Sequence, residues 1–306
     1  PPHNMDTAMP IKNRLIIALV AVATLILFLF HSIQYSPAVV SLTEQVNPSF
    51  YVTIAETPYL YWILHAFILI PIVALSFDKR VTFYKRWKYL LPAIVVVGIV
   101  FILWDFAFTD FGVWGFSHDY TLDARLLQLP IEEWVFFLSA PFACIFIYEC
   151  LRYYFPKDNF AAIDKPLSIG LAIFFIVVGV LTWGRLYTSF TCLAAGILIL
   201  TNYYTVANTY RTFFYKAQLV SFIPFILING VLTGSITKSP IVMYNSSEIL
   251  DIRFFTIPVE DFAYCFVLLF AVAIMYEFFQ GDRLMRSNLG PVDLNMEGTV
   301  ANLQQR

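Results

Sequence analysis

Two short motifs, Pro130-Ile131-Glu132-Glu133-Trp134 and Pro258-Val259-Glu260-Asp261-Phe262, each place two adjacent carboxylates at the mouth of an apolar run. Paired acids in apolar surroundings suit proton donation, because burial and a like-charged neighbour both keep a carboxyl protonated near neutral pH. A helix N-terminus pulls the other way, so such a pair can split into a donor and an ionised partner. Trp134, Phe136, Phe137, Phe262 and Tyr264 lie beside the motifs, and their π-faces could stabilise a carbocation. A proline followed two residues later by an acid is also an ordinary helix start. Against that reading, a charge inside a membrane span costs about 2.5–3.5 kcal/mol and usually faces a functional interior.

Fewer polar groups lie elsewhere in the apolar runs. Asp105 follows Trp104 near the level expected for the acids, and Asn229 and Thr233 sit in the stretch "NGVLTGS". His65 stands alone in its run. The candidate reacting acids are Glu132 and Glu260, with Glu133 and Asp261 as supports and Asp105 in a second rank. Trp134, Phe136, Tyr264, Asn229, Thr233 and His65 are the candidate substrate contacts. Tyr148-Glu149 and Tyr276-Glu277 lie 17 residues beyond the paired acids, about 25 Å away along a helix. Those four are expected to pair with the basic loops. Asp123 with Arg125, and Asp251 with Arg253, read as loop ion pairs.

The elements that hold these residues are membrane helices. The chain of 306 residues is 59% hydrophobic and 13% charged, with a mean hydropathy of +0.73, far from the quarter-charged surface of a soluble domain. An N-terminal span near 14–31 is followed by seven more near 58–76, 88–109, 130–151, 166–184, 186–207, 217–236 and 257–280. Each is long enough to cross the hydrocarbon core as a helix. The loop "FDKRVTFYKRWKY" carries Lys79, Arg80, Lys85, Arg86 and Lys88, whereas 32–57 holds no Lys or Arg. The positive-inside rule then places both termini in the cytoplasm and both acid motifs at the outer face. The fold class expected is an all-α membrane protein.

Self-comparison relates the two motifs. "RVTFYK" at 80–85 matches "RTFFYK" at 211–216, and an offset of 128 then runs without gaps from the loop before the third core span to that span's end. It sets Asp123 on Asp251, Arg125 on Arg253, Glu132 on Glu260, Glu133 on Asp261 and Glu149 on Glu277. Two three-span repeats joined by one linker span are parallel, which puts the four motif acids at one level. The boundaries expected are 1–56 for the N-terminal extension, 57–165 for the first repeat, 166–184 for the linker, 185–281 for the second repeat and 282–306 for a disordered tail.

Other chemistries lack their residues. The four histidines have no spacing for a di-iron site, and no G-x-G-x-x-G opens a dinucleotide fold. No Lys lies inside a span to form a retinal Schiff base. Cys144, Cys150, Cys192 and Cys265 have no C-x-x-C spacing and read as small packing residues. No cofactor, no metal and no nucleic acid is expected.

The paired P-x-E-E/D motifs, together with "FYKRWKYLLP", the Trp104-Asp105 pair and "NGVLTG", resemble the membrane-integral, non-flavin lycopene cyclases. That family includes two-subunit bacterial enzymes and fused archaeal, bacteroidete and fungal forms; residues 57–281 are similar to the fused form. The resemblance implies a lycopene β-cyclase that takes a lipophilic carotenoid from the bilayer and forms β-ionone rings without net redox change. It also implies the motif glutamates as acid and base, and a bacterial inner membrane as the location; the non-enzymatic alternative is a 3+1+3 membrane transporter or a carotenoid-binding protein.

Overall fold

A computed structural model of the chain describes residues 57–206 and 210–288, with side chains through Gly281. The expected span at 14–31 and most of the expected tail lie outside the described residues. The described chain is mostly helical: α1 (Leu60–Leu75), α2 (Trp87–Asp110), α3 (Ile131–Tyr154), α4 (Asp164–Leu181), α5 (Leu186–Thr205), α6 (Arg211–Leu232) and α7 (Val259–Asn288). Six of these are long and apolar enough to cross a membrane, and α1 is a shorter apolar helix of 16 residues.

The sixth span differs from expectation. Residues 211–216 read as a loop, yet Arg211 opens α6 and is only 2% exposed. Asp164, at the first turn of α4, explains this. Its carboxylate takes a two-pronged pair from Arg211, Nε at 2.8 Å and Nη2 at 2.5 Å. Pairing offsets the cost of burying the guanidinium. At its other end α6 stops at Leu232, where Thr233 Oγ1 bonds back to the Asn229 carbonyl and Gly234 turns at φ +98°.

Helices α3 and α7, which carry the acid motifs, lie at the centre. Helices α1, α2 and α6 pack on α3, while α2, α5 and α6 pack on α7. Helix α4 packs chiefly on α5. There Gly196 lets the backbones approach, since a Cβ in its place would stand 2.9 Å from the Ala172 carbonyl oxygen. Small residues at such crossings bring membrane helices close enough for dispersion to act.

The loops contain β-structure that the all-α expectation omits. Strand β1 (Trp114–Phe116) pairs antiparallel with β4 (Val242–Tyr244), joining the α2–α3 loop to the α6–α7 loop. A hairpin of β2 (Arg125–Leu126) and β3 (Leu129–Pro130) leads into α3, and one of β5 (Arg253–Phe254) and β6 (Ile257–Pro258) leads into α7. Each hairpin delivers its proline at the residue before the helix, so the acids fall in the first turn.

Candidate active site

Adjacent residues on a helix point about 100° apart, so each acid pair must split between two directions. Glu133 and Asp261 face a common cavity of about 120 Å³ between α3, α6 and α7. Glu132 and Glu260 do not line it. Each turns back to the loop preceding its helix: Glu132 Oε1 accepts the Leu122 N–H at 2.8 Å, and Glu260 Oε1 accepts the Leu250 N–H at 2.7 Å. Thr188 Oγ1 also donates to Glu260 Oε1, at 2.6 Å. Sequence ranked Glu132 and Glu260 first; the helix angle puts Glu133 and Asp261 on the cavity instead.

Asp105, from α2, lines the same cavity. Its Oδ1 accepts the Trp114 indole N–H at 2.6 Å, and its buried Oδ2 has no hydrogen-bond partner among the described residues. Glu133 accepts one side-chain hydrogen bond, from Tyr61 Oη at 2.6 Å. Asp261 accepts three, from Tyr187 Oη, Asn229 Nδ2 and Tyr244 Oη, each at 2.7 Å. Burial, then the neighbouring Asp261 carboxylate, push the Tyr244 hydroxyl well above the ordinary tyrosine range, so it stays a donor. Three donors and no acceptor form the setting of an anion. All three acids are buried: Asp105 is 2% exposed, Glu133 8% and Asp261 5%.

Of the candidate substrate contacts, Phe136, Tyr264 and Asn229 line the cavity, while Trp134, Thr233 and His65 do not. Trp134 donates its indole N–H to the Leu126 carbonyl of the hairpin. Thr233 bonds Thr256 Oγ1 at 2.7 Å. The His65 ring sits between Ser139 Oγ at 3.0 Å and the Glu132 carbonyl at 2.9 Å, a satisfied structural histidine. Sequence reasoning missed Tyr61, Tyr187, Tyr244 and Trp114. Two of them had a signal, since Leu60-Tyr61 and Leu186-Tyr187 repeat one dipeptide at the start of α1 and of α5.

At the far end of α3 and α7 the acids cross over. Tyr148 Oη donates to Glu277, and Tyr276 Oη donates to Glu149, both at 2.7 Å. Arg86 reaches Glu149 at 3.0 Å and Arg152 reaches Glu277 at 2.5 Å, the basic partners expected. In the loops, Arg253 pairs with Asp251 at 3.6 Å, whereas Asp123 meets His118 at 3.4 Å.

The arrangement can hold a proton on one acid, an anion on another, and an apolar aromatic wall around a cation. A family model described as lycopene cyclase matches residues 58–151 and 184–279. No curated protein and no solved structure matches.

Proposed function

This chain belongs to the non-flavin lycopene cyclase family, and we propose that it closes the linear ψ end groups of lycopene into β-ionone rings, an intramolecular isomerisation. The observation that carries this is three buried acids, drawn from α2, α3 and α7, around one apolar cavity. A terminal double bond takes a proton, the next double bond attacks the tertiary cation, and proton loss leaves the cyclic alkene. One proton enters and one leaves, so no electrons are exchanged.

The hydrogen bonds suggest a division of labour. Asp105, with one oxygen unbonded, is the donor. Asp261, held by three donors, is the anion that steadies the cation. Glu133, with its single side-chain hydrogen bond from Tyr61, takes the proton lost on ring closure and passes it back to Asp105. Trp114, Phe136 and Tyr264 present aromatic faces to the charge. Glu132 and Glu260 position the loops over the cavity.

Matching contacts support reading α1–α3 and α5–α7 as two copies of one unit joined by α4, a parallel 3+1+3 plan. Tyr61 bonds Glu133 as Tyr187 bonds Asp261, and Glu132 ties its loop as Glu260 does. The loop charges support an orientation with both termini in the cytoplasm, and we read the membrane as a bacterial inner membrane.

The test is pigment analysis of lycopene-accumulating cells expressing this chain. Monocyclic and dicyclic carotenes are expected from the wild type. Asp105→Asn, Glu133→Gln and Asp261→Asn are expected to lower them at least roughly a hundredfold at equal membrane levels. Unchanged lycopene, with the wild-type protein in the membrane, would exclude the reading.

A further inference from the structure

The cavity's size sets a problem for its proposed substrate. At about 120 Å³, it is comparable to the engineered apolar cavities of ~150 Å³ that hold one benzene. It takes one end group of a long polyene, and the rest of the chain has to lie elsewhere. At the acid end the lining is mostly buried: Tyr61, Tyr187 and Asp105 are each no more than 2% exposed. There α1 and α6 also meet, with Leu60, Tyr61 and Leu64 clustered against Val231 and Leu232.

Two turns further from the acids the wall changes. Ile68 lies seven residues beyond Tyr61 on α1, and Pro224 eight before Leu232 on α6, about 11 Å from the closed end at 1.5 Å per residue. Both line the cavity; Pro224 is exposed and Ile68 partly so. Between them, α3 presents Ala140 and Ala143, also partly exposed cavity-lining residues, and then Ile147. Pro224 removes a backbone N–H from α6 at this level. In contrast, the α7 side of the cavity at Cys265, Leu268 and Leu269 is buried. Among the described residues the cavity is therefore closed toward α7 at Cys265, Leu268 and Leu269 and open sideways between α1 and α6, over the two alanines.

We propose that this side window, floored by Ala140 and Ala143 and flanked by Ile68 and Pro224, is where the polyene chain leaves the chamber for the bilayer. The small floor residues then decide which carotenoids can seat an end group against the acids. This rests on the cyclase reading and adds to it the path and the residues that gate it. Continuity with the acid chamber names the occupant as the trailing apolar chain of the molecule whose end reacts.

Ala140→Trp and Ala143→Trp are expected to cut cyclised product by roughly tenfold or more at equal membrane levels. Leu227→Trp, on the same helix as Pro224 but 63% exposed and off the cavity, is expected to behave as wild type. A photoreactive benzoylphenylalanine at Phe225, which lines the cavity, is expected to crosslink to lycopene far more than one at Leu227. That second readout stands even if a tryptophan variant does not accumulate. A wild-type chain that cyclises lycopene, with both tryptophan variants turning over normally or no adduct at Phe225, overturns the window alone. A wild-type chain that leaves lycopene unchanged removes the cyclase reading and the window together.

Discussion

Glu133 and Asp261 occupy matching positions on their helices, yet one accepts a single side-chain hydrogen bond and the other three. Under the proposed mechanism this difference assigns the two carboxyl groups different roles, and it predicts distinct costs. A hydrogen bond to a charged group contributes about 1.5–3 kcal/mol, so Tyr187→Phe or Tyr244→Phe should slow cyclisation by roughly ten- to a hundredfold. Initial rates in membrane vesicles, normalised to protein, measure this; wild-type rates in both variants would mean that Asp261 carries no charge in the reaction. Glu132→Gln is expected to act differently. A glutamine oxygen still accepts the Leu122 N–H, so turnover should stay within a few-fold of wild type, against the near-complete loss in Glu133→Gln. If the two variants prove equally inactive at equal membrane levels, Glu132 belongs in the reaction, as its motif position first implied.

The hairpins that deliver the acids have an energetic cost of their own. Leu127 and Gln128 both adopt positive φ, 52° and 62°, in the two-residue turn between β2 and β3. That turn favours Asn-Gly, because a Cβ in the left-handed region costs about 1–2 kcal/mol. Gln128→Gly should therefore stabilise the protein by about 1 kcal/mol, raising Tm in detergent by roughly 2–4 °C. Cyclase activity should stay intact, since Gln128 does not line the cavity. A fall in Tm would show that the Gln128 side chain, which reaches Asp110 at 3.2 Å, outweighs the backbone strain.

Across the whole molecule, one cavity draws acids from both halves of the helical core. Had each half run its own reaction, disabling one would halve the output. With a shared chamber, Glu133→Gln alone and Asp261→Asn alone should each abolish the first ring as well as the second. Chromatographic separation of monocyclic from dicyclic carotene reads this directly, and half-maximal product from either variant would argue for two independent sites. The crossed Tyr148–Glu277 and Tyr276–Glu149 bonds lock the far ends of α3 and α7 together. The strand pair β1–β4 closes the loops at the acid end, so the chamber is pinned at both ends of the bundle.

Much of this was legible in the residues alone. Apolar runs located all seven described helices, because a backbone in hydrocarbon has to satisfy its own hydrogen bonds. The offset of 128 singled out Glu132-Glu133 and Glu260-Asp261 as a pair of matching motifs, and the basic partners of Glu149 and Glu277 followed from charge. Which acid of each pair faces the cavity was not legible, since adjacent residues look alike in sequence and differ only by the angle at which their helix sits. Nor were Tyr61, Tyr187 and Tyr244, whose hydroxyls reach the acids across 72, 74 and 17 residues of chain. Sequence determines which groups enter the membrane, because that depends on transfer from water one segment at a time. Tertiary packing alone decides which of them meet, because that depends on helix rotation and on side chains brought together from distant segments.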